Sequence, residues 1–231
     1  MTSGRADVVN GNVLCEQREP RWRVAVLLSG AGRTLHNLLG VIARGELPLD
    51  VVAVVSSVPD VRGLSVARDG GIPVATVARK AYPSVSSYSD AIYATIAPFS
   101  PDLIVMAGFL RQVLVPPGWE GRILNIHPAL LPEAAHYAAG KGLFGERVHA
   151  AVLAHGDTMS GATVHLVTDS YDEGPPLLRT EVPVLPGDDP VTLGSRVFHA
   201  ECDLYPEAIR RYIASRPDLR KQRSIGTGAK A

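Results

Sequence analysis

Short, nearly continuous apolar runs recur at residues 23–28, 50–56, 74–77, 103–107 and 123–126. Runs of this kind fit strands covered on both faces, as in the middle of a parallel sheet. Between them the apolar residues change to helical spacing. Leu35, Leu38, Leu39 and Ile42 follow the first run, Leu64, Val66 and Ala67 follow the second, and Ile92, Ile96 and Phe99 share one face of a helix over 88–99. Gly70-Gly71 closes the second helical segment, and Pro98 marks the end of the third or a kink in it. Further on, the pattern predicts a helix at 148–153, a strand at 163–167, a late strand at 177–184 whose direction is open, and a long helix over 192–212. In that last helix Leu193, Val197, Leu204 and Ile209 face inward, with an interruption near Pro206. Strands alternating with helices imply right-handed crossovers and an α/β fold with a doubly wound, mostly parallel sheet, whose ligands collect at the carboxyl ends of the strands. Residues 1–21 read as a polar, flexible extension, 22–215 as one domain, and 216–231 as a basic, glycine-containing flexible tail.

Two strand ends carry candidate chemistry. The run 123–126 passes directly into His127-Pro128, with Pro132 following, so the strand stops where an amide and an imidazole have been delivered. Asn125 and His127 are two apart and face the same side of an extended chain, where one substrate group can meet both. That pairing suits a carbonyl: Asn donates to an oxygen gaining negative charge, and His donates to it or exchanges a proton nearby. A plain strand end with polar capping residues is the alternative for Asn-x-His alone. After the first strand, Ser29-Gly30-Ala31-Gly32-Arg33-Thr34 leads into a helix, and exposed N–H groups there, with the helix dipole, suit a phosphate. Arg33 offers a charge-assisted bond and Thr34 a hydroxyl. A tight turn needing glycine only for its dihedrals is the alternative. The dinucleotide fingerprint is not met, since Leu35 stands where its third glycine belongs.

Charge and cysteine content narrow the partners. Lys and Arg together number 23, equal to Asp and Glu, so no net field exists to hold a nucleic-acid backbone or an anionic membrane. Two cysteines make no disulfide framework, and none of the seven histidines forms a metal-ligand pair. No apolar run reaches the length of a membrane span, and the start lacks a signal-peptide core. Small-molecule substrates, a cytoplasmic location and no metal are the expectations.

Four ordered motifs sharpen this. Asn125-Ile126-His127-Pro128-Ala129-Leu130-Leu131-Pro132, preceded by Ser29-Gly30-Ala31-Gly32 and Ala107-Gly108-Phe109-Leu110-Arg111 and followed by Tyr171-Asp172-Glu173-Gly174-Pro175, resembles the glycinamide ribonucleotide formyltransferases, within the wider group of formyltetrahydrofolate-dependent formyltransferases. The resemblance spans about residues 23–213 and implies a Rossmann-like formyltransferase fold in a single domain. It implies 10-formyltetrahydrofolate as co-substrate, glycinamide ribonucleotide as acceptor, no metal, and Asn125, His127 and Asp172 as catalytic residues. Asp172 would keep the imidazole of His127 protonated or relay a proton through water. Gly30, Ala31, Gly32, Arg33, Thr34, Pro128 and Glu201 would bind the ribonucleotide; Phe109, Leu110, Arg111, Val113 and Asn125 would border the folate.

The chain departs from the family at three places. Arg33-Thr34 replaces the usual Ser-Asn of the phosphate loop, Val85 stands where the family often has an arginine, and the loop 133–145, with Lys141 between glycines, is longer. His165 falls inside a strand, where a buried, satisfied histidine and a catalytic one are equal readings. Rival functions are formylation of an amino sugar nucleotide or of methionyl-tRNA, hydrolysis of formyltetrahydrofolate, and, in another class, a non-catalytic folate- or nucleotide-binding regulator. Oligomeric state, a homodimer included, is left open.

Overall fold

Each of the five early apolar runs becomes a strand. A computed structural model, which describes residues 21–220, sets β1 (Trp22–Leu28), β2 (Leu49–Ser56), β3 (Val74–Thr76), β4 (Leu103–Met106) and β5 (Ile123–His127) in parallel. β6 (Met159–Leu166) and β7 (Pro176–Pro183) then join antiparallel, which settles the direction of the late strand. The order across the sheet is β3-β2-β1-β4-β5-β6-β7. The chain winds outward from β1 to β3 and returns to pair β4 on the other side of β1, so the ligand crevice expected of such a sheet lies at the carboxyl ends of β1 and β4.

The helices are α1 (Arg33–Ala43), α2 (Arg62–Asp69), α3 (Val85–Ile96), α4 (Ala135–Ala138), α5 (Glu146–His155) and α6 (Pro190–Ser215). Alternation along β1 divides the core in two. Val24, Val26 and Leu28 pack with Leu35 and Leu38 of α1 and Val197 and Ile209 of α6. Ala25 and Leu27 pack on the opposite face with Tyr88, Ile92 and Ile96 of α3.

Four expectations are corrected. α3 begins at Val85, three residues before the predicted start, because Ser84 and Ser87 form a reciprocal capping box that hydrophobic spacing does not register. It ends at Ile96, and Ala97–Phe99 tightens into a 3-10 turn around Pro98. The loop 133–145 contains α4.

α6 runs unbroken through Pro206, where an interruption was predicted. Proline removes the bond that the carbonyl four residues back would accept, here that of Cys202. The side-chain amide of Asn37 in α1 donates to this carbonyl at 2.7 Å, so the lost partner is replaced from a neighbouring helix. One turn away, the hydroxyl of Tyr205 lies 3.0 Å from the carbonyls of both Met106 and Leu124 and ties α6 to adjacent strands.

The tail predicted from residue 216 is packed at its start. Pro217–Leu219 forms a 3-10 turn, Leu219 is buried in the larger core, and its carbonyl accepts from Arg122. The extension at 1–20 and the tail at 221–231 lie outside the described residues. Among the described residues, no helix is long and apolar enough to cross a membrane.

Candidate active site

Antiparallel pairing of β5 with β6 builds the centre of the site. Asn125 lies directly opposite His165, and their side chains meet at 3.1 Å. The Nδ1 of His165 donates to the Leu166 carbonyl at 2.9 Å, which leaves Nε2 as the acceptor for the Asn125 amide. The turn after β6 brings in Asp172, held at φ 53°, a left-handed conformation that aspartate tolerates better than most residues. Its carboxylate stands 3.6 Å from His127 Nδ1 and 3.6 Å from His165 Nε2. Asn125 Nδ2 is 3.5 Å away, and the Gly140 N–H donates to it at 3.1 Å. Asp172 thus lies beside Asn125 and His127, from which it is distant in sequence.

The charge states follow from burial and partners. Burial raises Asp172, but the imidazoles of His165 and His127 close by and the Gly140 N–H together hold its carboxyl below the ordinary range. His127 is 4% exposed, and burial lowers its pKa by more than Asp172 and the Ala138 carbonyl raise it. Burial thus works against the expectation that Asp172, at 3.6 Å, keeps this imidazole protonated. Its Nε2–H donates to the carbonyl of Ala138, the last residue of α4, at 2.7 Å.

These groups line a cavity of about 650 Å³. One end is formed by Arg33 and by Gly194, Val197, Phe198 and Glu201, which occupy one face of α6. The Arg33 guanidinium stacks on the Phe198 ring, 4.0 Å from its centroid. Glu201 is half-buried in this wall. Burial pushes its carboxyl up to about 7 against the opposing pull of Arg33. The other end is lined by Arg79, Val85, Phe109, Leu110, Arg111, Gln112 and Tyr171. Lys141 borders the cavity from the glycine loop between α4 and α5.

Most of the residues singled out in the sequence come together here: Asn125, His127, Pro128, Asp172, Arg33, Glu201, Phe109, Leu110 and Arg111. Gly30, Ala31, Gly32 and Thr34 do not line the cavity. Their loop reaches it only through Arg33, although α1 starts without any side-chain cap on its N–H groups. Gly32 is at φ 73°, and a Cβ there would lie 2.5 Å from the Gly63 Cα, so close packing of α1 on α2 is by itself enough to require glycine. Val113 is corrected: it is buried in the smaller core and does not border the cavity. Phe109 serves both as core residue and as cavity wall. The Leu110 N–H donates to the Ser29 hydroxyl, itself 2.6 Å from Ser57, so this backbone donor stitches strand ends together.

Sequence reading did not single out Arg79, Tyr171 or His149 as site residues. Tyr171 stands in the motif beside Asp172 with no role given to it, Arg79 falls between a predicted strand and helix, and His149 sits in a helix read only for its apolar pattern. Among the described residues, no group of three His, Cys, Asp or Glu side chains is placed to hold a metal.

Comparison with known proteins bears on this geometry. Residues 22–209 match the family described as formyl transferase. The phosphoribosylglycinamide formyltransferase of Escherichia coli (strain K12) is 35% identical over 196 residues, covering 84% of this chain and 88% of that protein. A trifunctional purine biosynthetic protein adenosine-3 from Drosophila pseudoobscura pseudoobscura is 37% identical over 196 residues, 83% of this chain. The chain spans only 14% of that relative, and 18% and 20% of the counterparts from Bos taurus and Gallus gallus. Among solved structures, glycinamide ribonucleotide transformylase 1 from Symbiobacterium toebii superposes with a TM-score of 0.77 at 35% identity, covering 93% of this chain and 94% of its own.

Proposed function

The chain belongs to the formyl transferase family, and from that premise we propose that it transfers the formyl group of 10-formyltetrahydrofolate to the amine of glycinamide ribonucleotide in purine biosynthesis. The observation that carries this reading is the cluster of Asn125, His127 and Asp172 in the wall of a cavity that Arg33, Arg79 and Arg111 also line.

The apolar wall of Val85, Phe109, Leu110 and Tyr171 suits a flat pterin. Arg111 and Arg79 beside it suit the folate's carboxylates, and Arg79 supplies a cation at the end where Val85 has taken one away. Arg33 and Glu201 suit the phosphate and the hydroxyl groups of the ribonucleotide at the other end. In the transfer, the substrate amine bonds to the formyl carbon, the bond from that carbon to the folate nitrogen breaks, and one proton passes from the amine to the departing nitrogen. Asn125 and His127 donate N–H groups to the formyl oxygen as it gains charge. Both donors are engaged within the protein, by His165 and Ala138 respectively, so the substrate oxygen competes for them. Asp172, held as a carboxylate, accepts the amine's proton and passes it on directly or through water. We place the reaction in the cytoplasm.

A spectroscopic assay with glycinamide ribonucleotide and 10-formyltetrahydrofolate tests the reading, and turnover of that pair is expected. No turnover with it, together with turnover of an amino sugar nucleotide, would transfer the assignment to the rival acceptor.

A further inference from the structure

We infer that His149 is an additional binding residue for the acceptor substrate, taking a neutral hydroxyl or amide group of that molecule rather than its phosphate. The inference rests on the formyl-transfer reading above and assigns a role within the same cavity.

His149 projects from α5 and is 5% exposed, and its ring forms part of the cavity wall. Its Nδ1 is buried with no hydrogen-bond partner among the described residues. Buried polar atoms in folded proteins are nearly always paired; this one is closed off from the cavity as well as unpaired, so the ring must turn in its cleft beside Gly194 to offer it to a ligand. The neighbouring histidines differ: His127 is engaged by Ala138, and His165 by Leu166 and Asn125.

α6 is shaped to admit the ring. A Cβ on Gly194 would lie 2.7 Å from the His149 Cδ2 and 3.0 Å from its Nε2. Glycine is a poor helix residue, and its place inside α6 is explained by the space it leaves for the imidazole. Gly194 shares its helix face with Val197, Phe198 and Glu201, so His149 belongs to the Arg33 end of the cavity, which we assign to the ribonucleotide.

The ring's charge selects the kind of group it takes. Burial, with His127 nearby, pushes His149 down to about 4, which leaves it neutral at physiological pH with one donor and one acceptor nitrogen. That pair matches a hydroxyl or an amide. A phosphate calls for a cation, which Arg33 provides at the same end.

Two substitutions at His149 and one at Gly194 test this, with calorimetric binding of glycinamide ribonucleotide alone and separate KM values for both substrates. His149→Phe keeps a flat ring without nitrogens and is expected to weaken ribonucleotide binding by about tenfold, the scale of one lost hydrogen bond, with the folate KM unchanged. His149→Gln, which retains a donor and an acceptor, should restore binding to within about threefold. Gly194→Ala should reproduce the selective loss by displacing the ring, and it keeps the test available if His149→Phe does not fold. Unchanged ribonucleotide binding in His149→Phe and Gly194→Ala, equal losses in the Phe and Gln variants, or equal shifts in both KM values would each overturn the assignment. Failure of the wild-type protein to bind glycinamide ribonucleotide at all would instead sink the reading on which it rests.

Discussion

Nδ1 of His127 stands 3.6 Å from Oδ2 of Asp172, close enough for charge coupling and too long for a normal hydrogen bond. The pair is held apart by other partners: Gly140 donates to the same carboxylate oxygen, and Ala138 holds the far side of the imidazole. Asp172 is thus placed to handle a substrate's proton without surrendering its charge to His127. Asp172→Asn should preserve the fold, because asparagine tolerates the left-handed backbone at this position and its amide oxygen still accepts from Gly140. We expect kcat to fall by roughly two orders of magnitude or more, with near-normal substrate binding. A lowered Tm with kcat per folded molecule unchanged would reduce Asp172 to a structural residue.

Arg33 reaches the cavity while stacked on Phe198, which orients its guanidinium toward the ribonucleotide end. Arg33→Ala should raise the KM for the ribonucleotide about tenfold and leave the folate KM alone. Equal changes in both constants would remove it from phosphate recognition.

Glu201 is raised to about 7 in the fold by burial, from an ordinary value of 4.5. The folded state therefore holds its proton more tightly than the unfolded chain does. Stability from this group is fully present below pH 4.5 and is lost as pH rises through about 7. Glu201→Gln mimics the protonated form. The Tm of the variant should match wild type at pH 4.5 and exceed it above pH 7, while ribonucleotide binding weakens. Melting profiles that run parallel across this range would show that the carboxyl titrates normally.

Asn37 stands in for the backbone donor that Pro206 lacks. Asn37→Leu should leave the Cys202 carbonyl without that partner and cost about 1–3 kcal/mol in chemical denaturation. Pairing it with Pro206→Ala returns a backbone N–H to the helix, so the double variant should recover most of the loss. Simple additivity of the two changes would count against the coupling.

What could be read along the chain is what local periodicity determines. A period of two placed Asn125 and His127 on one face of β5, continuous apolar runs marked the parallel strands, and a glycine turn between strand and helix located the Arg33 loop. Asp172 entered through its motif, since its own neighbourhood reads as an ordinary acidic turn. The rest depends on partners distant in sequence. The resemblance set both Val113 and Phe109 at the folate border, and hydrophobicity alone does not separate core from cavity wall, because both present apolar side chains to something other than water. Proline reads locally as a helix breaker, and only the arrival of Asn37 from α1 shows why α6 continues past Pro206. The lowered pKa of His127 and the unpaired Nδ1 of His149 follow from burial by segments remote in the chain, and so does Glu201 at about 7. Desolvation is set by everything packed around a group, and that packing exists only once the sheet and helices have come together.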